Sequence, residues 1–222
     1  KKSVEIPSLD PYKPGVIIVG PWRGSNYKLI AYQEAIRKWQ KLTDWPIFAD
    51  PLSCVCNDQP GLINNWELLI RDCLPIPTIG LQVLRLGTIP SSRYIESWLC
   101  SLGKDQVLIS EGDERNLDPL KLSKQFNYGF AFWLEYFIKN RLYHKIKLNS
   151  QKSTFDSAKV FESWFLKDSL ASNWLNKKLL SQVRITEPSL IYSLSRILPN
   201  GLPVMLAASS PVRDWLSFSG PS

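Results

Sequence analysis

The 222-residue sequence contains one histidine, one methionine and four cysteines. The single imidazole, His144, has no nucleophile motif around it, so nothing resembles a Ser/His/Asp arrangement. Cys54, Cys56, Cys73 and Cys100 match neither C-x-x-C nor a usual zinc pattern, and His144 lies far from them along the chain. The N-terminal Lys1-Lys2-Ser3-Val4-Glu5-Ile6-Pro7 lacks the apolar stretch of a secretory signal, so the expectation is reduced thiols in a cytoplasmic protein. No run approaches the roughly 18 apolar residues a membrane span needs; the longest, 16–20 and 203–208, are strand-sized. RNP, zinc-finger and helix-turn-helix signatures are missing, as are G-x-G-x-x-G and Walker sequences. There is no internal repeat and no low-complexity tract. The chain does not start with Met, since its only one is Met205, and it closes without a helical or charged tail, which predicts a piece of a longer protein.

What is present is globular: 44% hydrophobic, 12% aromatic and 21% charged residues. The formal charge of +7 is uneven, with −1 over residues 1–119, +6 over 120–152 and +2 over 153–222. The basic segment 120–152 interleaves Phe126, Tyr128, Phe130, Phe132, Trp133, Tyr136, Phe137 and Tyr143. One reading is a nucleic-acid-binding module. The other is a solvated helix whose Trp133, Tyr136, Phe137 and Asn140 follow inward helical spacing.

Strand-like and helix-like patterns alternate. Val16-Ile17-Ile18-Val19, Pro46-Ile47-Phe48-Ala49, residues 81–86 and 106–109 read as strands. Tyr27, Ile30, Ala31, Ala35, Trp39 and Leu42 recur at helical spacing with Ser25 or Asn26 as N-cap; 62–74 also reads as a helix, and Pro90-Ser91-Ser92 opens another that runs through about Leu102. Val160, Phe161, Trp164, Phe165, Ala171, Trp174, Leu175 and Leu179 trace a long amphipathic helix. A last helix opens at Thr186-Glu187-Pro188 with Leu190, Ile191, Leu194, Ile197 and Leu198 as its apolar face, and 202–207 is expected to be a final strand. The alternation predicts an α/β fold: a Rossmann-like, mainly parallel sheet flanked by helices.

Ligands of open α/β sheets sit beyond the carboxyl ends of the strands, and four such ends carry polar or small residues. Gly20-Pro21-Trp22-Arg23-Gly24-Ser25 reads as a turn, and Asp50 in Ala49-Asp50-Pro51-Leu52-Ser53 reads as a turn cap. In Gly87-Thr88-Ile89-Pro90-Ser91-Ser92-Arg93, hydroxyls precede a cation at a helix N-terminus, where free N–H groups favour a carboxylate or phosphate; an ordinary N-cap with a solvated Arg is the competing account. Ala207-Ala208-Ser209-Ser210-Pro211-Val212-Arg213-Asp214 repeats the pattern, against a surface turn with an Arg213–Asp214 pair. Gly112-Asp113-Glu114 departs from the Gly-Asp-Gly of a thiamine diphosphate fingerprint, and Asn140 is followed by Arg141 rather than a second Asn.

Four stretches, in order, carry a resemblance. They are Lys13-Pro14-Gly15-Val16-Ile17-Ile18-Val19-Gly20-Pro21; Trp45-Pro46-Ile47-Phe48-Ala49-Asp50-Pro51-Leu52-Ser53; Leu84-Arg85-Leu86-Gly87-Thr88-Ile89-Pro90-Ser91-Ser92-Arg93 with Trp98-Leu99; and Leu198-Pro199-Asn200 through Asp214. Together they resemble the middle of the 2-succinyl-5-enolpyruvyl-6-hydroxy-3-cyclohexene-1-carboxylate synthases, thiamine diphosphate enzymes of menaquinone and phylloquinone synthesis. The resemblance implies a central Rossmann-like domain over 1–200 and, over 201–222, the start of a segment leading into a C-terminal diphosphate-binding domain. It implies that the complete enzyme decarboxylates 2-oxoglutarate and adds the resulting carbanion to isochorismate. It also implies a cytoplasmic homo-oligomer that uses thiamine diphosphate and Mg²⁺. This segment itself would bind neither cofactor nor nucleic acid, would hold no catalytic residue and would be inactive alone. Arg93 stands where the family has a Lys that meets an isochorismate carboxylate. Ser209 and Arg213 match the Ser and Arg that hold the succinyl carboxylate. Ala207 and Ala208 depart from the family's Gly and Asn. A nucleotide- or FAD-binding Rossmann domain remains the further alternative.

Overall fold

A computed structural model describes residues 6–72, 80–103, 106–139, 157–181, 184–199 and 202–219. Its centre is a five-stranded, wholly parallel sheet in the order β2-β1-β3-β4-β5, built from β1 (Gly15–Val19), β2 (Ile47–Ala49), β3 (Gln82–Leu86), β4 (Gln106–Ile109) and β5 (Ser123–Phe126). Aliphatic runs bounded by Gly and Pro become strands buried on both faces, as parallel sheets require. The helices are α1 (Leu29–Thr43), α2 (Trp66–Asp72), α3 (Arg93–Ser101), α4 (Phe130–Lys139), α5 (Ser157–Leu179), α6 (Glu187–Ile197) and α7 (Ser210–Phe218).

Two aromatic clusters fasten these helices to the sheet. Trp39 of α1 meets Trp133 and Phe137 of α4 edge-on, with centroids 5.1 and 5.3 Å away, and Trp45 5.6 Å away. Phe48 of β2 meets Trp66 of α2, Trp98 of α3 and Trp164 of α5 at 5.6–5.7 Å. Such pairs add to the burial that drives packing. α5 is also tied by Asp168, whose carboxylate accepts from Asn64 N–H (3.2 Å), Asn65 N–H (2.7 Å) and Asn65 Nδ2 (2.8 Å) just ahead of α2.

The connection from β4 to β5 has no helix, and an ion pair fixes it instead. Arg85, on the central strand and 1% exposed, donates from Nη1 to Asp118 Oδ1 at 2.8 Å. The other Asp118 oxygen accepts Leu122 N–H, Ser123 N–H and the Ser123 hydroxyl at 2.7–2.8 Å. Burial pushes the Asp118 carboxyl up, but the bonds from Arg85 and Ser123 and the Arg85 charge outweigh it and hold it below the usual value.

Several expectations need correction. Residues 202–207 form no strand; they have no regular secondary structure, are largely exposed and do not pair with the sheet, Met205 being 97% exposed. β5 was unanticipated because Ser123-Lys124-Gln125-Phe126 lacks an aliphatic run. Helix α1 starts at Leu29 after a 3₁₀ turn at Asn26–Lys28, and Ser25 makes no side-chain cap. Its buried side is Tyr32, Ala35, Ile36, Trp39 and Gln40, while Tyr27 and Ile30 face outward. Helix α6 buries Ser189, Tyr192 and Ser195 most deeply; of its expected apolar face, Ile191, Leu194 and Leu198 are half-buried while Leu190 and Ile197 are exposed. On α5, Phe161, Trp164, Leu175 and Leu179 are buried as spaced, but Trp174 is 59% exposed and Phe165 lies at the surface. On α4, Trp133 and Phe137 are buried and Tyr136 is at the surface. Helix α2 begins at Trp66 rather than at the expected Leu62, because Leu62 and Ile63 run alongside Ile47 of β2, Ile63 N–H donating to its carbonyl at 3.0 Å. The expected end of that helix at 73–74, Cys73, Asn140, the basic stretch 140–152 with His144, Asn200 and Gly201 lie outside the described residues.

Candidate functional site

The strand order reverses between β1 and β3, and the loops leaving these two strands meet there. Gly20 N–H donates to Leu86 C=O at 2.9 Å, and a Cβ at position 20 would sit 1.7 Å from the Thr88 carbonyl oxygen, so glycine is required. Gly87 follows at φ +77°, a conformation open to glycine at no steric cost. The two backbones touch where a nucleotide would need a gap. Beside them, a cavity of about 20 Å³ under Trp22, Tyr32 and Glu111 has room for one water.

The loop after β2 is bound to the loop after β3 through Asp50. Its Oδ1 accepts Leu52 N–H at 2.8 Å and closes a turn, while its Oδ2 accepts Ser91 N–H at 3.0 Å across a separation of 41 residues. The Ser91 hydroxyl also bonds the same carboxylate. Burial pushes the Asp50 carboxyl up, tempered by these three bonds. One residue on, Ser92 caps α3, its hydroxyl oxygen accepting Tyr94 N–H and Ile95 N–H, both at 3.2 Å. The Ser92 hydroxyl meets buried Glu67 of α2, whose pKa is raised by burial and eased by Ser92 and by the Arg71 charge.

Arg93 comes next, at the first position of α3, with its side chain in solvent. Ser209 stands at the N-cap position of α7 but makes no side-chain cap bond, and Arg213 follows one turn later; both are exposed. Among the described residues, the side chains of Arg93, Ser209 and Arg213 form no hydrogen bond or ion pair, so Arg213 is not paired to Asp214. The fold brings Ser209 and Arg213 onto one helix. That helix reaches the Asp50 loop: Trp215, Leu216 and Ser219 line a cavity of about 130 Å³ with Asp50, Ser53 and Asn64. Arg93 stands two residues beyond Ser91, which the same Asp50 holds.

The residues of Gly112-Asp113-Glu114 do not fit a diphosphate–metal cradle. Asp113 is engaged by Arg115 through bonds of 2.9 and 2.6 Å, and the Arg115 side chain holds its carboxyl down at about 2. The neighbouring Glu111, raised by burial, caps α4 by accepting Phe130 N–H at 2.8 Å. Among the described residues, no three His, Cys, Asp or Glu side chains cluster as metal ligands would. Cys54 and Cys56 are exposed free thiols, as is Cys100.

Three features escaped the reading of the sequence. Asp50 was seen as a turn cap but not as a tie between loops. Glu67 and Arg85 were not singled out, although a charged residue inside an apolar run, as in Leu84-Arg85-Leu86, is itself a signal of a buried pair.

The class defined by this geometry is a doubly wound α/β domain whose crest presents hydroxyl-and-cation helix starts to solvent. No family model matches the chain. Curated relatives do, all carrying the name 2-succinyl-5-enolpyruvyl-6-hydroxy-3-cyclohexene-1-carboxylate synthase. The chain is 47% identical over 216 residues to the one from Prochlorococcus marinus (strain MIT 9313) and 47% over 224 residues to that of strain NATL1A; it is 42% identical over 219 residues to one from Synechococcus sp. (strain CC9902). These alignments cover 97–99% of the chain and 36% of each relative. The chain is thus similar to these synthases over nearly its whole length and spans about a third of the length of the relatives it matches. No described helix is long and apolar enough to cross a membrane.

Proposed function

We propose that the chain is the substrate-lining central part of a synthase that decarboxylates 2-oxoglutarate and adds the succinyl unit to isochorismate, with Arg93, Ser209 and Arg213 as its substrate contacts. The observation that carries this reading is the uncommitted guanidinium of Arg93, held in solvent behind a capped helix start beyond the central strand. Both substrates are carboxylates, and arginine binds a carboxylate through two parallel N–H bonds. Addition of an electron-rich carbon to an already anionic ring is opposed by charge. In this reading Arg93 offsets one isochorismate carboxylate, while Ser209 and Arg213 hold the distal carboxylate of the succinyl unit.

Residues 1–200 form the Rossmann-like domain in this account, and 201–222 begin the passage to a diphosphate-binding domain; the exposed apolar Leu202, Val204 and Met205 suit a segment that packs elsewhere. Thiamine diphosphate, the electron sink of the reaction, and Mg²⁺ belong to other parts of the polypeptide. The complete enzyme works as a cytoplasmic homo-oligomer without a nucleic-acid partner, and the 222-residue segment alone does not turn over.

The test is a pair of variants in the full-length enzyme. Arg93→Met is expected to raise KM for isochorismate roughly tenfold or more and leave that for 2-oxoglutarate unchanged, with Arg213→Met doing the reverse. Two unchanged KM values would overturn the assignment, and so would turnover by the isolated segment.

A further inference from the structure

We propose that Asp50 is a positioning residue for Arg93, acting through Ser91 and assisted by Glu67 through Ser92; the inference rests on Arg93 binding substrate. The argument starts from the placement of Arg93. A long, exposed side chain retains several rotamers, so its aim depends on the backbone that carries it. Position 93 has no tie of its own, but the two residues before it are both held from beneath. Asp50 Oδ2 accepts Ser91 N–H at 3.0 Å and the Ser91 hydroxyl as well, and Asp50 is itself fixed by its N–H to Val19 C=O at 2.7 Å and by Leu52 N–H to Oδ1 at 2.8 Å. Glu67 meets the Ser92 hydroxyl, whose oxygen accepts the first free N–H groups of α3.

Two buried carboxylates, from β2's loop and from α2, thus hold two successive serines in line with the sheet. A turn cap alone requires only the Leu52 bond. The second oxygen spans from one strand's loop to the next and stops two residues short of the guanidinium. Asp50 also lines the cavity beside α7, so the same acid lies between the two helices that carry the substrate cations.

The test uses the full-length synthase with isochorismate and 2-oxoglutarate varied separately. Asp50→Asn keeps the shape and one acceptor but loses the charge and one of the two bridges. It is expected to raise KM for isochorismate roughly ten- to a hundredfold while KM for 2-oxoglutarate and kcat stay within about twofold, because misaiming a binding group is costly. Ser91→Ala, which removes only the hydroxyl, is expected to show a smaller shift in the same direction. Asp50→Glu is expected to recover less than half of the loss, since its longer arm displaces Ser91. In a cycle with Arg93→Met, the Asp50→Asn effect should vanish once Arg93 is gone. If Arg93→Met raises KM for isochorismate but Asp50→Asn and Ser91→Ala do not, the positioning role is wrong and the substrate reading stands. Equal losses for both substrates, or an Asp50→Asn effect that persists without Arg93, would make Asp50 merely structural and overturn the proposal. If Arg93→Met itself has no effect, the underlying reading fails first.

Discussion

Arg93 and Arg213 occupy comparable places, each in the first turns of a helix preceded by serines, yet they are supported differently. Ser92 ahead of Arg93 caps its helix and is held by Glu67, and Ser91 is held by Asp50. Ser209 ahead of Arg213 has no side-chain cap bond, at φ −170° and ψ −134°, and follows an irregular, exposed stretch. α3 is built into the sheet through Ile95, Trp98 and Leu99, whereas α7 buries only Val212 and Leu216. The difference teaches that one cation is presented by a finished core. The other sits in a region that still exposes Trp174, Leu190, Ile197 and Met205. Apolar surface of that kind is characteristic of a face meant to be covered.

The comparison can be broken at several points, the largest first. Arg85→Met leaves Asp118 as an unpaired buried charge under the anchored side and is expected to cost about 3–5 kcal/mol, read by urea unfolding. Asp168→Ala cuts α5 from the start of α2 and should cost roughly 2–3 kcal/mol, because it strands the backbone N–H groups of Asn64 and Asn65 that now meet a carboxylate. Ser92→Ala is expected to cost about 1 kcal/mol, as the loss of an N-cap does. The same change at Ser209 should stay within about 0.5 kcal/mol; a cost equal to that at Ser92 would erase the contrast.

A pH series adds a gentler test. Glu67 carries a raised pKa, so the folded state keeps its proton to higher pH than the unfolded chain. Its contribution therefore falls as pH rises from the ordinary glutamate range through the raised native value. Glu67→Gln should flatten that part of a plot of Tm against pH, and an unchanged slope would count against a burial-dominated shift.

The sheet was largely legible because β1 to β4 are short apolar runs, those of β1, β2 and β3 closed by Gly or Pro, as strands buried on both faces are. β5 was hidden because its pairing comes from neighbours: Lys124 and Gln125 gain their strand geometry from β4, and Gln125 spends its side chain on Leu117 N–H and the Arg115 carbonyl. Residues 202–207 show the opposite case, strand composition in a segment that pairs with no strand of the sheet. Helical spacing located α6 but left out Tyr192, the residue its inward face buries most deeply. At the site, the hydroxyl-then-Arg order was visible along the chain at 91–93 and 209–213. The Asp50–Ser91 tie was not, since 41 residues separate its ends and only strand order brings them together.

The two tryptophan clusters have an optical consequence. Trp45 and Trp133 lie 5.6 and 5.1 Å from the Trp39 ring on the side of α1 and α4, and Trp66, Trp98 and Trp164 surround Phe48 in the layer of α2, α3 and α5. Rings this close couple electronically, so each layer carries its own near-ultraviolet dichroism. Replacing Trp164 with phenylalanine would dim one reporter and spare the other. Unfolding followed at both signals would then show whether the two layers part together or α5 and its neighbours let go first.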